Sequence, residues 1–148
     1  MAKIQIHTDG GARDNPGPSA LGVVFGPPIS KGYSQYLGKK TNNEAEYEAV
    51  IFALKKLKAL VGKEKTKVLE VEIFMDSQLA VRQLSYEYKI ESPNIVPLFV
   101  KIHNLRLEYK KVNFTHVPRE KNKDADKLVN MELDRHTYVE DNLFNLQF

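Results

Sequence analysis

The chain has 148 residues, 42% hydrophobic and 28% charged, enough for one domain with a proper core and too apolar for a disordered chain. It contains no cysteine, which excludes disulfides, thiolate zinc sites and a cysteine nucleophile, and no apolar run approaches the roughly 20 residues of a membrane span. The net charge is +3, and the opening Met1-Ala2-Lys3-Ile4-Gln5 reads as a strand instead of a signal peptide, so a cytoplasmic, monomeric protein is expected.

Lys3 to Asp9 alternates, with Ile4, Ile6 and Thr8 on one side and Gln5, His7 and Asp9 on the other, the pattern of a strand. Gly10 to Pro18 reads as a loop from its glycines and prolines. Leu21–Phe25 and Lys31–Leu37 follow as two strands around Gly26-Pro27-Pro28, an antiparallel meander. Thr41-Asn42-Asn43 offers a helix N-cap, with Glu44, Glu46 and Glu48 in the first turns and the helix running to about Leu60. Val68–Met75 is a fourth strand, closed by Asp76-Ser77 and followed by a short helix over Gln78–Leu84. Residues 86–97 are irregular, a helix spans about Leu98–Tyr109, and a fifth strand covers Lys111–Val117. After the loop Pro118–Asn122 a last helix occupies about Lys123–Leu133. Behind a core of about 3–133 lies a C-terminal tail over 134–148, where alternating Phe144, Leu146 and Phe148 fit an extended segment from Tyr138 docked on the body and a floppy terminus equally well. The order implies one α/β domain over 1–148. Its five-stranded mixed sheet is a meander followed by parallel strands, with helices on both faces.

Charge is unevenly placed. Residues 55–67 carry six lysines against one glutamate, and residues 101–127 carry eight Lys/Arg against four acids. Such segments fit a polyanion partner and fit a solvated helix face equally well.

Four acids stand where a core does not want them. Asp9 and Asp76 each end a strand, side by side if those strands are parallel neighbours, at the edge where open α/β sheets bind ligands. Each alone is also an ordinary cap for the loop or helix that follows. On a 100° wheel Val50, Ala53, Leu57 and Leu60 fall within about 40° of Glu46, which therefore sits on the apolar face of its helix. Asp126 repeats the pattern, sharing a face with Val129 and Leu133, with Asn122 one turn before it. Buried acids are costly unless paired or coordinated. A convergent all-oxygen cluster favours Mg²⁺ or Mn²⁺ over zinc, and two such ions about 3.5–4 Å apart suit in-line displacement at phosphorus.

Four motifs then stand in order: Thr8-Asp9-Gly10-Gly11 with Asn15-Pro16-Gly17-Pro18, Thr41-Asn42-Asn43-Glu44-Ala45-Glu46, Met75-Asp76-Ser77-Gln78, and Asn122-Lys123-Asp124-Ala125-Asp126-Lys127-Leu128. Together they resemble ribonuclease H, type 1, over about residues 3–133. The resemblance implies a ribonuclease H-like fold and an endoribonuclease that cuts the RNA strand of RNA–DNA hybrids. It implies two divalent ions held by Asp9, Glu46, Asp76 and Asp126, and products with 5′-phosphate and 3′-hydroxyl ends. It also implies minor-groove contacts from Asn15, Asn42, Asn43 and Gln78 beside Gly10 and Gly11, and a DNA phosphate held by Thr41. Asn15 before Pro16 is equally good turn chemistry, and Thr41 or Asn42 equally good capping.

Two features depart from well-known bacterial members. Residues 85–97 are short and carry only Lys89, where those members insert a basic helix and loop. With His116-Val117-Pro118-Arg119-Glu120 this resembles the archaeal and plant-type branch, which adds double-stranded RNA to the candidate substrates. Bacterial members also place a mobile histidine in the loop before the last acid. Here His116 ends a strand with Val112 and Phe114 on its side, an arrangement that packs its ring, whereas Arg119 lies within the loop. Arg119 is therefore expected to take over that role in part, with His116 second. The competing readings are a non-catalytic RNA- or hybrid-binding module on the same fold and a domain cut from a reverse transcriptase.

Overall fold

Alternating side chains make β1 (Lys3–Ala12) a strand whose Ile4, Ile6 and Thr8 are buried. A computed structural model describes residues 2–145. After β1 come β2 (Gly17–Phe25), β3 (Lys31–Lys40), α1 (Asn42–Val61), the single turn α2 (Lys63–Thr66), β4 (Glu70–Met75) and α3 (Gln78–Leu84). They are followed by α4 (Val96–Arg106), β5 (Lys111–His116), a 3-10 turn (Arg119–Lys121) and α5 (Lys123–Asn145). The strands form one sheet in the order β3-β2-β1-β4-β5. β1, β2 and β3 pair antiparallel, and β1–β4 and β4–β5 pair parallel. This is the expected mixed sheet.

Two neighbouring glycines show which helix covers which face. Side chains alternate along a strand. A Cβ on Gly10 would run into the Ala45 carbonyl group of α1, whereas one on Gly11 would touch Val129 of α5. Helices α1 and α5 thus cover opposite faces. The larger core lies under α1, built on Ile6, Val23, Phe25, Tyr47, Val50, Leu54, Ile73 and Met75. A smaller cluster of Ala20, Val129 and Leu133, with Tyr36 against it, lies under α5.

Several boundaries differ from the sequence reading, each for a physical reason. β1 runs through Gly10 and Gly11 to Ala12, because Gly10 serves close approach of α1 and not a turn. β2 and β3 are longer for the same pairing, matching Gly17 to Lys40 at their far end. β4 starts at Glu70, leaving Val68 exposed. α4 starts at Val96, since Pro97 fits a first helical turn. Leu60, read as part of the inner face of α1, is exposed. The largest difference is the tail: residues 134–145 continue α5 as helix, with i,i+3 and i,i+4 pairs Arg135–Glu132 and His136–Glu140 and the His136 ring stacked on Tyr36. Leu146 and Phe148, on which the extended reading also rested, lie outside the described residues.

Candidate active site

Ladder registry brings the first two acids together. β1 and β4 stay paired up to His7↔Phe74, so Asp9 and Asp76 emerge level with each other two residues later. Glu46 reaches them from the first turns of α1, which Thr41 caps: its Oγ1 accepts from Glu44 N at 3.1 Å, and Glu44 Oε1 accepts from Thr41 N at 3.0 Å. The bare Gly10 backbone lets this turn lie close, its absent Cβ being only 2.5 Å from Glu46 N. One carboxylate oxygen each from Asp9, Glu46 and Asp76 lies within 4.8 Å of the others. Asp126, on the first turn of α5, stands outside that trio but lines the same cleft. The four expected acids therefore do converge.

The electrostatics are those of crowded anions. Burial first, and then the charges of Asp76 and Asp126, push the Asp9 carboxyl up to about 7. Burial and then Asp9 and Asp76 push Glu46 well above the ordinary carboxylate range. One Glu46 oxygen, Oε2, is buried with no hydrogen-bond partner among the described residues. An orphaned anionic oxygen among like charges fits a hard divalent cation, and an all-oxygen donor set fits Mg²⁺ or Mn²⁺.

Of the expected substrate contacts, Gly10, Gly11 and Asn42 line the cleft, while Asn15, Thr41, Asn43 and Gln78 lie on the β1–β2 turn and at the starts of α1 and α3. Asn15 Oδ1 accepts from Asn42 N at 2.9 Å, and Asn42 Oδ1 accepts from Ala12 N at 2.8 Å. Both side chains thus pin the β1–β2 turn to the start of α1, and each keeps an amide NH₂ as donor on an exposed residue. Asn43 is half-buried one position further, and Gln78 is exposed at the start of α3, which Ser77 caps through Ala80 N at 3.2 Å. Arg119, from the 3-10 turn, also lines the acidic cleft; His116 does not, among the described residues. The expectation that His116 is packed is overturned: Val112 and Phe114 are buried, but His116 is exposed, because Met75↔His116 is the last rung of its ladder.

The sequence reading missed Arg13, Ser77, Asn130 and Leu133, which also line the cleft. Arg13 Nη2 pairs with Asp134 Oδ1 at 2.6 Å and so ties the turn to α5, a partner 121 residues away that no local pattern signals. The basic segment 55–67 begins about 14 Å along α1 from Glu46, and among the described residues none of its lysines lines the cleft, whereas Arg119 of the second basic segment does.

Fold and site together define a nuclease-type α/β domain. Residues 7–132 match the family described as Reverse transcriptase-like. The chain is 35% identical over 136 residues to the Ribonuclease HI of Halobacterium salinarum, covering 89% of this chain and 65% of that protein. It is 34% identical over 136 residues to the Bifunctional protein Rv2228c of Mycobacterium tuberculosis, covering 89% of this chain. The chain spans 36% of the length of that mycobacterial relative. A crystal structure of LC11-RNase H1 in complex with RNA/DNA hybrid superposes with a TM-score of 0.84 at 43% identity, covering 90% of this chain and 99% of that one. The chain belongs to the ribonuclease H family, within its type 1 branch.

Proposed function

We propose that the protein is an endoribonuclease that hydrolyses the RNA strand of RNA–DNA hybrids. The observation that carries this reading is the convergence of Asp9, Glu46 and Asp76 within 4.8 Å, with Asp126 lining the same cleft. A binding-only module has no use for such a cluster, because acids repel a nucleic acid backbone. The four carboxylates would hold two divalent ions, which when bound would supply an activated water and offset charge on the attacking and leaving oxygens of an in-line displacement. The products carry 5′-phosphate and 3′-hydroxyl ends.

The surrounding residues position the strands. Asn15, Asn42, Asn43 and Gln78 present amide donors to the shallow minor groove, where base edges and 2′-hydroxyls distinguish RNA. Gly10 and Gly11 let the RNA backbone approach the acids, and Thr41 holds a phosphate of the DNA strand beside its capping role. Arg119, exposed on the cleft wall, reaches toward the departing phosphate with its fork of donors; His116 is the second candidate. Double-stranded RNA shares the 2′-hydroxyl-lined minor groove and is included as a substrate.

The test is incubation of end-labelled RNA–DNA, RNA–RNA and DNA–DNA duplexes with Mg²⁺, Mn²⁺ or EDTA. Cleavage of the RNA strand of the hybrid with either ion and none in EDTA is expected, with the DNA duplex intact. Undiminished cleavage in EDTA overturns the reading, and an uncut RNA duplex restricts it to hybrids.

A further inference from the structure

The β1–β4 ladder stops at His7↔Phe74, so the two strands part just before they deliver Asp9 and Asp76. The next backbone carbonyl of β1, that of Thr8, accepts instead from the side chain of Asn122, Nδ2 to O at 3.0 Å across 114 residues of sequence. Asn122 is 1% exposed. Its own carbonyl accepts from Asp126 N at 3.1 Å, which makes it the residue on which the first turn of α5 closes. An asparagine in that place ordinarily turns its side chain back to cap its own helix. This one spends its amide on another element, and its Oδ1 has no hydrogen-bond partner among the described residues.

One residue therefore joins the backbone immediately before Asp9 to the turn that carries Asp126. Asp126 is also the acid left outside the 4.8 Å trio, so its place beside the others in the cleft depends on where the start of α5 is held. We propose that Asn122 is a positioning residue: its bond to the Thr8 carbonyl sets where Asp126 stands relative to Asp9 in the cleft and with it the affinity of the acidic site for divalent ions. This rests on the metal-dependent reading above. The amide is buried on the Thr8 carbonyl, so the effect is expected on metal and turnover and not on hybrid affinity.

The experiment is a calorimetric titration of the metal-free full chain with Mn²⁺, for the unaltered protein and Asn122→Ala, followed by hybrid cleavage over a range of Mn²⁺. Loss of a group that orients a ligand costs about 10–100-fold in metal affinity. Weaker Mn²⁺ binding of that size is expected, with kcat reduced at low metal and recovering at high metal, and KM for the hybrid within about twofold of the unaltered protein's. Unchanged titration and unchanged metal dependence in a cooperatively melting variant overturn the proposal. If Asn122→Ala does not melt cooperatively, the same titration on Asn122→Ser decides; failure of both to fold assigns Asn122 to the core and overturns it too. Were the unaltered protein to bind Mn²⁺ but leave hybrids uncut, the nuclease reading would fail, while the titration would still decide the role of Asn122.

Discussion

Replacing Asp9 by Asn in the metal-free protein should raise its stability, and the gain should depend on pH. Asp9 is 6% exposed, and its carboxyl is pushed from 3.8 up to about 7 by burial and by Asp76 and Asp126. The folded protein thus holds a proton that the unfolded chain has already released. The sign follows: below about pH 4 both states are protonated and nothing is lost, and stability then falls as pH rises toward 7. At 1.36 kcal/mol per pH unit the loss is about 4 kcal/mol by pH 8. Asn keeps the shape, offers Glu46 a donor and removes this penalty. For a chain of this size 1 kcal/mol shifts the melting midpoint by roughly 2–4 °C, so the variant should melt about 8–15 °C higher at pH 8 in EDTA. The gap should narrow steadily toward pH 4, and saturating Mg²⁺ should stabilise the unaltered protein more than the variant. Thermal melts followed by circular dichroism from pH 4 to 8 provide the readout. A variant that melts lower at pH 8, or a gap that does not change with pH, would refute the reasoning that these anions repel one another in a site built for cations.

Glu46→Gln should abolish turnover while leaving the metal-free melting midpoint unchanged or higher; a large drop would make Glu46 a structural residue. Arg119→Ala should lower kcat about tenfold at saturating substrate and metal, about 1.4 kcal/mol of barrier, with His116→Ala smaller. The reverse result hands the role to His116, and no effect in either makes the 118–122 segment a mere connector. Asn43→Ala should raise KM on short hybrids more than it lowers kcat; an unchanged KM reassigns Asn43 to the start of α1. Gly10→Ala should destabilise by several kcal/mol, about the top of the range for overpacking, because the new methyl meets the Ala45 carbonyl; a stable, active variant would contradict the close α1–β1 contact.

Much of the site was legible because local chemistry and final position agree. Asp76-Ser77 announces both a strand end and a cap, and α3 begins at Gln78 as read. Glu46 on an apolar helix face is a local contradiction, and the structure resolves it by pointing the carboxylate at Asp9 and Asp76. The strand that continues through Gly10 and Gly11 was missed because glycine signals turns far more often than close helix approach. The long α5 was missed for another reason. Its second half is mostly exposed, with Tyr138, Val139 and Leu143 on the surface, so there is no strong apolar face to read, and its anchors are Tyr36 under His136 and Arg13 on Asp134. The role of Asn122 was equally hidden, since its partner is a backbone carbonyl on the first strand.

The most direct test of the central claim is to cut a hybrid in ¹⁸O-labelled water with Mg²⁺ and identify the ends of the RNA fragments by mass spectrometry. Water attack at an acidic metal site predicts one ¹⁸O atom in each new 5′-phosphate and an unlabelled 3′-hydroxyl. Fragments ending in 2′,3′-cyclic phosphate, with no label at the 5′ end, would mean that the 2′-hydroxyl is the nucleophile and would contradict the account.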